Sequence, residues 1–215
     1  MRSFKMIMAA ALILSLSAGA YAELQMVSTS GSLRIRGNMY DMDSMGEASW
    51  VEMRTRLGVQ ADFTDSVSAV LELDSYDNWG EDFRSNYVTS GDARAASVDD
   101  VEIYQAYIEA QEMWGTPLQL RIGRQEIMLG SEWLMGNKDT DALFTGLSFD
   151  GVRATYAVDT LSVDAIWAKL AETNGDFGED DVDLYSIYFS YLGLEDAVID
   201  AYWMWIRENN DGFGP

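Results

Sequence analysis

The sequence predicts an all-β fold, an antiparallel up-and-down transmembrane β-barrel of about nine strands that is left incomplete. Three observations predict it. Strict two-residue alternation recurs over segments of about ten residues, the length a strand needs to cross a bilayer. The connectors between these segments alternate short and long, as turns and loops do at the two ends of an outer-membrane barrel. Aromatic residues on the apolar face gather towards the segment ends, where rings sit at a lipid–water interface.

The chain opens differently. Residues 1–22, "MRSFKMIMAAALILSLSAGAYA", place Arg2 and Lys5 before an apolar run from Met6 to about Leu16, and close on Ala20-Tyr21-Ala22. This is the charged, apolar and small-residue order of a secretory signal peptide. The apolar run is short for a membrane helix of about 20 residues. Cleavage after Ala22 leaves residues 23–215 as the barrel domain, the N-terminal part of a larger barrel. It removes two cations and no acid, so the formal charge goes from −22 to −24.

The alternating segments are 32–40, 50–63, 66–76, 101–111, 117–129, 148–158, 161–170, 184–192 and 198–206. In the first, Arg34, Arg36, Asn38 and Tyr40 share a side. In the second, Val51, Met53, Thr55, Leu57, Val59, Ala61 and Phe63 oppose Trp50, Glu52, Arg54, Arg56, Gln60 and Asp62. In the fourth, Tyr104, Ala106, Ile108 and Ala110 are expected outside, and Gln105, Tyr107, Glu109 and Gln111 inside. The fifth sets Leu118, Leu120 and Ile122 against Gln119, Arg121 and Gly123, and the sixth sets Val152, Ala154 and Tyr156 against Gly151, Arg153 and Thr155. Short turns are expected at Thr64-Asp65, 114–117, Asp159-Thr160 and 193–196. Long loops are expected at 41–48, 77–100, 130–146 and 172–182. One aromatic girdle is then Phe63, Tyr156 and Tyr191, and the other Tyr104, Trp167, Tyr185, Trp203 and Trp205.

Charge placement gives the wall its sides. Arg or Lys facing lipid at mid-depth costs about 2–4 kcal/mol, so the strand arginines face water. Arg34, Arg36, Arg54, Arg56, Arg121 and Arg153 are the candidate pore-lining, anion-binding residues, because guanidinium groups pair carboxylates bidentately and rings of Arg select anions. Glu52, Glu72, Asp74 and Glu109 share that face, so mutual pairing within the wall is the competing role. Arg124 is expected to pair structurally with Asp150, with Gly123 and Gly151 marking a close backbone approach or a bulge.

Absences narrow the chemistry. The chain has no His and no Cys, which removes Ser-His-Asp and Cys-His catalysis, His-ligated metal sites and disulfides. No cofactor, metal or catalytic residue is expected. A charge of −22 without a basic stripe excludes nucleic acid as a partner. The acidic stretch 176–183 offers oxygen ligands but lacks EF-hand spacing and reads as a solvated loop. Nine strands is an odd number, whereas single-chain bacterial barrels are even, and 208–215 reads as a loop. An open edge in lipid leaves backbone groups unpaired, so further strands, from the same chain or another, are expected.

Residues 121–156 resemble the core motif of the alginate-export family of outer-membrane channels. The resemblance rests on Gly123, Arg124, Gln125 and Glu126 on one strand and on Phe149, Asp150, Gly151, Val152 and Arg153 on the next, and "MRTRLGV" (53–59) is similar too. The chain departs from the pattern at Ser131-Glu132-Trp133, where many members carry an acid followed by Arg. The resemblance implies an 18-stranded monomeric barrel, of which this chain is about half, with an Arg-rich pore passing anionic polysaccharide outward. The expected function is therefore an outer-membrane channel for anionic saccharides or small anions. Its partners would be outer-membrane lipid, the anionic polysaccharide or small anions, and periplasmic export machinery. Two other readings fit the residues: a soluble secreted β-sandwich binding carbohydrate, and an outer-membrane hydrolase working through carboxylates alone.

Overall fold

The computed structural model describes residues 24–42, 46–79, 101–137, 139, 146–172 and 180–210. Residues 1–22, expected to be a signal peptide, most of the loop expected at 77–100, and residues 176–179 of the acidic stretch lie outside them. Among the described residues there are nine strands: β1 (Met26–Met42), β2 (Gly46–Thr64), β3 (Val67–Asn78), β4 (Val101–Ala110), β5 (Leu118–Gln125), β6 (Phe149–Val158), β7 (Leu161–Ala171), β8 (Asp180–Leu194) and β9 (Ala197–Asn210). They form one sheet in sequential order, each antiparallel to its neighbour. A sandwich would need two sheets, so the all-β, up-and-down reading is the one the chain adopts. The sheet is not closed, and β1 and β9 are its edges.

Burial is reversed relative to a water-soluble protein. The charged face is the sheltered one: Arg54 is 3% exposed and Glu52 7%. The apolar face is open: Leu33 is 62% exposed and Ile187 51%. A sheet with that polarity rests its apolar side in hydrocarbon and its charged side in water. Among the described residues no helix is long and apolar enough to cross a membrane.

Four expectations change. The loop expected at 41–48 shrinks, because β1 runs on to Met42 and β2 begins at Gly46. The segment 117–129 is strand only as far as Gln125; residues 126–129 leave the sheet and turn inward. The described part of the loop expected at 130–146 does not project away from the sheet. Met135 packs with Ile127 and Leu129 against Ile166, Ala168, Leu184 and Tyr188 on the sheltered face of β7 and β8.

The fourth correction concerns Tyr104. It belongs to the sheltered face and not to the outer girdle. Glu72 pairs with Gln105 and Leu73 with Ile103, so β4 carries one extra residue at that point. This β-bulge shifts the side-chain phase by one and turns Tyr104, 7% exposed, inward. The remaining outer aromatics keep their places: Trp167 pairs with Tyr185, and Tyr185 with Trp205, across three neighbouring strands.

Candidate functional site: the arginine-bearing face of the sheet

Register decides where the arginines meet. Arg34 on β1 lies directly opposite Arg54 on β2. Arg121 on β5 lies directly opposite Arg153 on β6. Like charges facing each other across strands repel, so each pair needs an anion beside it.

The first pair is filled by the chain itself. Asp139, from the loop after β5, accepts from Arg54 Nη1 at 2.9 Å and from Arg54 Nη2 at 2.7 Å, a bidentate contact. Arg34 Nη1 donates to the same carboxylate at 2.6 Å, and Arg56 Nη1 donates at 3.4 Å. Three strand arginines thus converge on one loop aspartate 83 to 105 residues away in sequence. The Asp139 carboxyl is held below the usual aspartate range, first by its hydrogen bonds from Arg54, with the nearby positive charges of Arg54 and Arg56 adding to the effect. A cleft of about 380 Å³ opens beside it, between Ser30, Ser32, Arg34, Arg54 and Glu72.

Arg56 has the most varied set of partners. Its Nε donates to Asp74 at 2.8 Å, and Glu72 lies 3.5 Å away. Its guanidinium lies over the Tyr104 ring at 3.7 Å from the centroid. Tyr104 in turn donates its hydroxyl to Glu126. The bulge in β4 therefore places the aromatic shelf on which Arg56 rests.

The second pair is held from both sides. Arg121 donates to Glu109 Oε2 through Nε at 2.9 Å and Nη2 at 2.5 Å, and its guanidinium lies 4.3 Å from the Tyr107 ring centroid. Arg153 Nε donates to Asp164 at 2.7 Å, and the Thr155 hydroxyl also donates to Asp164. Between the two guanidinium groups lies a small cleft of about 170 Å³, lined by Gln119, Arg121, Arg153 and Thr155. Arg36 lies nearer the long-loop end, where it donates to Glu52 at 2.8 and 2.5 Å.

All six arginines expected to line the pore therefore lie on one face, and the register gathers four of them into two opposed pairs. Asp139 and Asp164 were not foreseen as partners. Asp139 sits in a loop with no periodicity to read, and its only trace in the sequence is the anion that an Arg34–Arg54 pair requires. Tyr104 had a readable signal: in "VEIYQAYIEA" the apolar phase moves from Val101 and Ile103 to Ala106, Ile108 and Ala110.

The motif residues hold the wall together. Arg124 and Asp150 pair at 2.8 and 2.9 Å on the opposite, outer face. Gln125, fully buried, donates its amide to the carbonyls of Gly123 and Gly151 at 3.3 and 3.2 Å. Gly123 has φ +129°, and a Cβ there would stand 2.3 Å from the Ala106 carbonyl oxygen; at Gly151 it would stand 2.3 Å from that of Trp167. Glu126 accepts from Tyr104, and its backbone N–H donates to Gln105 at 3.2 Å. Phe149 packs against the Ile127 cluster. Among the described residues no group of acids is arranged to hold a metal ion.

A one-sheet wall that is apolar outside and charged inside defines the class: an outer-membrane β-barrel wall. The alginate export family pattern matches residues 26–212, and the chain belongs to that family. This is a family of outer-membrane transport proteins rather than enzymes, and its description, alginate export, suggests an outer-membrane channel for polysaccharide export. No curated protein and no solved structure matches the chain.

Proposed function

We propose that this chain forms the anion-reading wall of an outer-membrane channel, passing anionic saccharides or small anionic solutes, with exopolysaccharide export as its use. One observation carries the reading: two arginine pairs sit opposed across strands on the channel face, and the first already grips a carboxylate, Asp139. A solute carboxylate has the same charge and the same two acceptor oxygens. It would exchange with Asp139 at Arg34, Arg54 and Arg56 and enter between Arg121 and Arg153.

Exchange of one carboxylate for another leaves no bare arginine at any step, so a polyanion can move without stripping charge from the wall. Glu109 and Asp164 keep Arg121 and Arg153 from binding any one anion permanently. Conduction needs such weak, repeated sites. On this reading residues 1–22 direct secretion, the short turns face the periplasm, and the export machinery meets that end.

The test is ion selectivity in planar bilayers. Asp139→Asn should shift the reversal potential towards anions, and Arg121→Gln should shift it towards cations. If neither variant moves the reversal potential, the arginines only hold the wall together and the reading fails.

A further inference from the structure

The outer face carries a second pattern that the channel does not use. Following the register across five strands gives Arg124 opposite Asp150, Asp150 opposite Lys169, Lys169 opposite Asp183, and Asp183 opposite Arg207. This is one row of strictly alternating charge on the lipid side, running from β5 to β9. Each member lies within three residues of the long-loop end of its strand. The pattern is confined to that half of the sheet, because the matching ends of β1 and β2 carry Asp41 opposite Glu47.

The row has a boundary beneath it. Two residues further into the bilayer, on β7, β8 and β9, stand Trp167, Tyr185 and Trp205, register partners of one another. Tyr185 and Trp205 stack with centroids 5.6 Å apart. Aromatic rings of this kind mark the headgroup level, so the charged row lies where lipid phosphates lie. A groove of about 500 Å³ runs up the outer surface between β5 and β7, with Ile122, Val152 and Trp167 along it and Asp150 and Lys169 at its charged end.

We propose that this row is a docking line for the phosphorylated lipid of the outer leaflet, with an acyl chain in the groove and headgroup phosphates against Lys169 and Arg207. The inference rests on the barrel wall being membrane-embedded with its long loops outward, and is independent of which solute passes. The level of the row above the aromatic band and the spacing of its cations support this occupant. The three cations stand on alternate strands, about 10 Å apart at about 4.8 Å per strand, so each meets its own headgroup. Arg124 and Asp150 pair in the open, 44% and 57% exposed. Lys169 shares its ammonium between Asp181 at 3.1 Å and Asp183 at 3.5 Å. Arg207 is exposed opposite Asp183.

The experiment refolds the protein into three vesicle preparations: phosphatidylcholine alone, phosphatidylcholine with a phosphorylated outer-leaflet glycolipid, and phosphatidylcholine with phosphatidylglycerol. After detergent extraction, mass spectrometry reads the phosphorylated lipid retained per chain. The parent should retain glycolipid. Lys169→Gln with Arg207→Gln should lose about fivefold per cation removed, the equivalent of about 1 kcal/mol for each Lys or Arg at an anionic surface. Glu47→Gln, at the loop end of β2, should retain as much as the parent. The double variant should keep the parent's strand content and reversal potential, since neither residue faces the channel. Equal retention by parent and double variant overturns the proposal. Equal retention of phosphatidylglycerol and glycolipid by the parent overturns the assignment to the outer-leaflet lipid. A double variant that does not refold is replaced by each single variant, read in the same way.

Discussion

Asp139 shows how one side chain can be both partner and placeholder. Its carboxylate is ionised under the arginines of β1 and β2, and its depressed pKa gives the sign of the pH effect. The clamp is complete above the unfolded aspartate value of about 3.9 and is lost as pH falls through the lower, folded value. The difference in reversal potential between parent and Asp139→Asn should therefore stay constant from neutral pH down to about pH 4, and close only below it. A difference that closes nearer neutrality would mean Asp139 is not held by Arg54. At this scale the sequence is informative only for residues within strands. Alternation places Arg34, Arg54, Arg121 and Arg153 on the correct face, but it cannot say which arginine faces which. That depends on register, which turn lengths and bulges set.

Elements explain what alternation misses. A bulge of one residue in β4 reverses Tyr104 while leaving the strand's existence, direction and length as expected. The segment after β5 is missed for a different reason. Ile127 and Leu129 keep a two-residue spacing, so they read as strand, but in the phase of Gln119 and Arg121 rather than of Leu118, Leu120 and Ile122; they leave the sheet and pack inward against β7 and β8. Contacts between residues far apart in sequence decide this, and no local pattern encodes them. Ile127 is fully buried and anchors the segment. Ile127→Ala should cost the anchored segment about 2–5 kcal/mol while leaving the strands paired. The expected result is faster proteolytic cleavage within 126–139 and a shift towards anions like that of Asp139→Asn. Cleavage at the parent rate would show that Met135 and Leu129 suffice to hold the loop.

For the whole molecule, the reversed burial is the legible property. Nine strands, their order and the sidedness of the wall all follow from period-two patterning, because a bilayer penalises charge on one face wherever it occurs. The penalty depends on depth, and the outer row beginning at Arg124 shows where it fades. Ile187, in mid-strand between Ala165 and Trp203, lies well inside that limit. Ile187→Arg should lower stability in vesicles by about 2–4 kcal/mol by urea titration. A loss no larger than that of a neutral polar substitution would place Ile187 outside the hydrocarbon.

The two edges of the sheet share a heading. Strands alternate in direction, so β1 and β9, the first and ninth, both run towards the long-loop end. A rotation about the membrane normal preserves that heading. Edge-to-edge contact between two copies would therefore bring together strands pointing the same way, whichever edges met. Such a contact lacks the antiparallel ladder that outer-membrane barrels use, and parallel pairing is the weaker of the two. Only an odd number of intervening strands can complete an antiparallel circuit from β9 to β1. The odd count thus discourages two wall segments from joining each other and favours closure by a complementary, odd-numbered set.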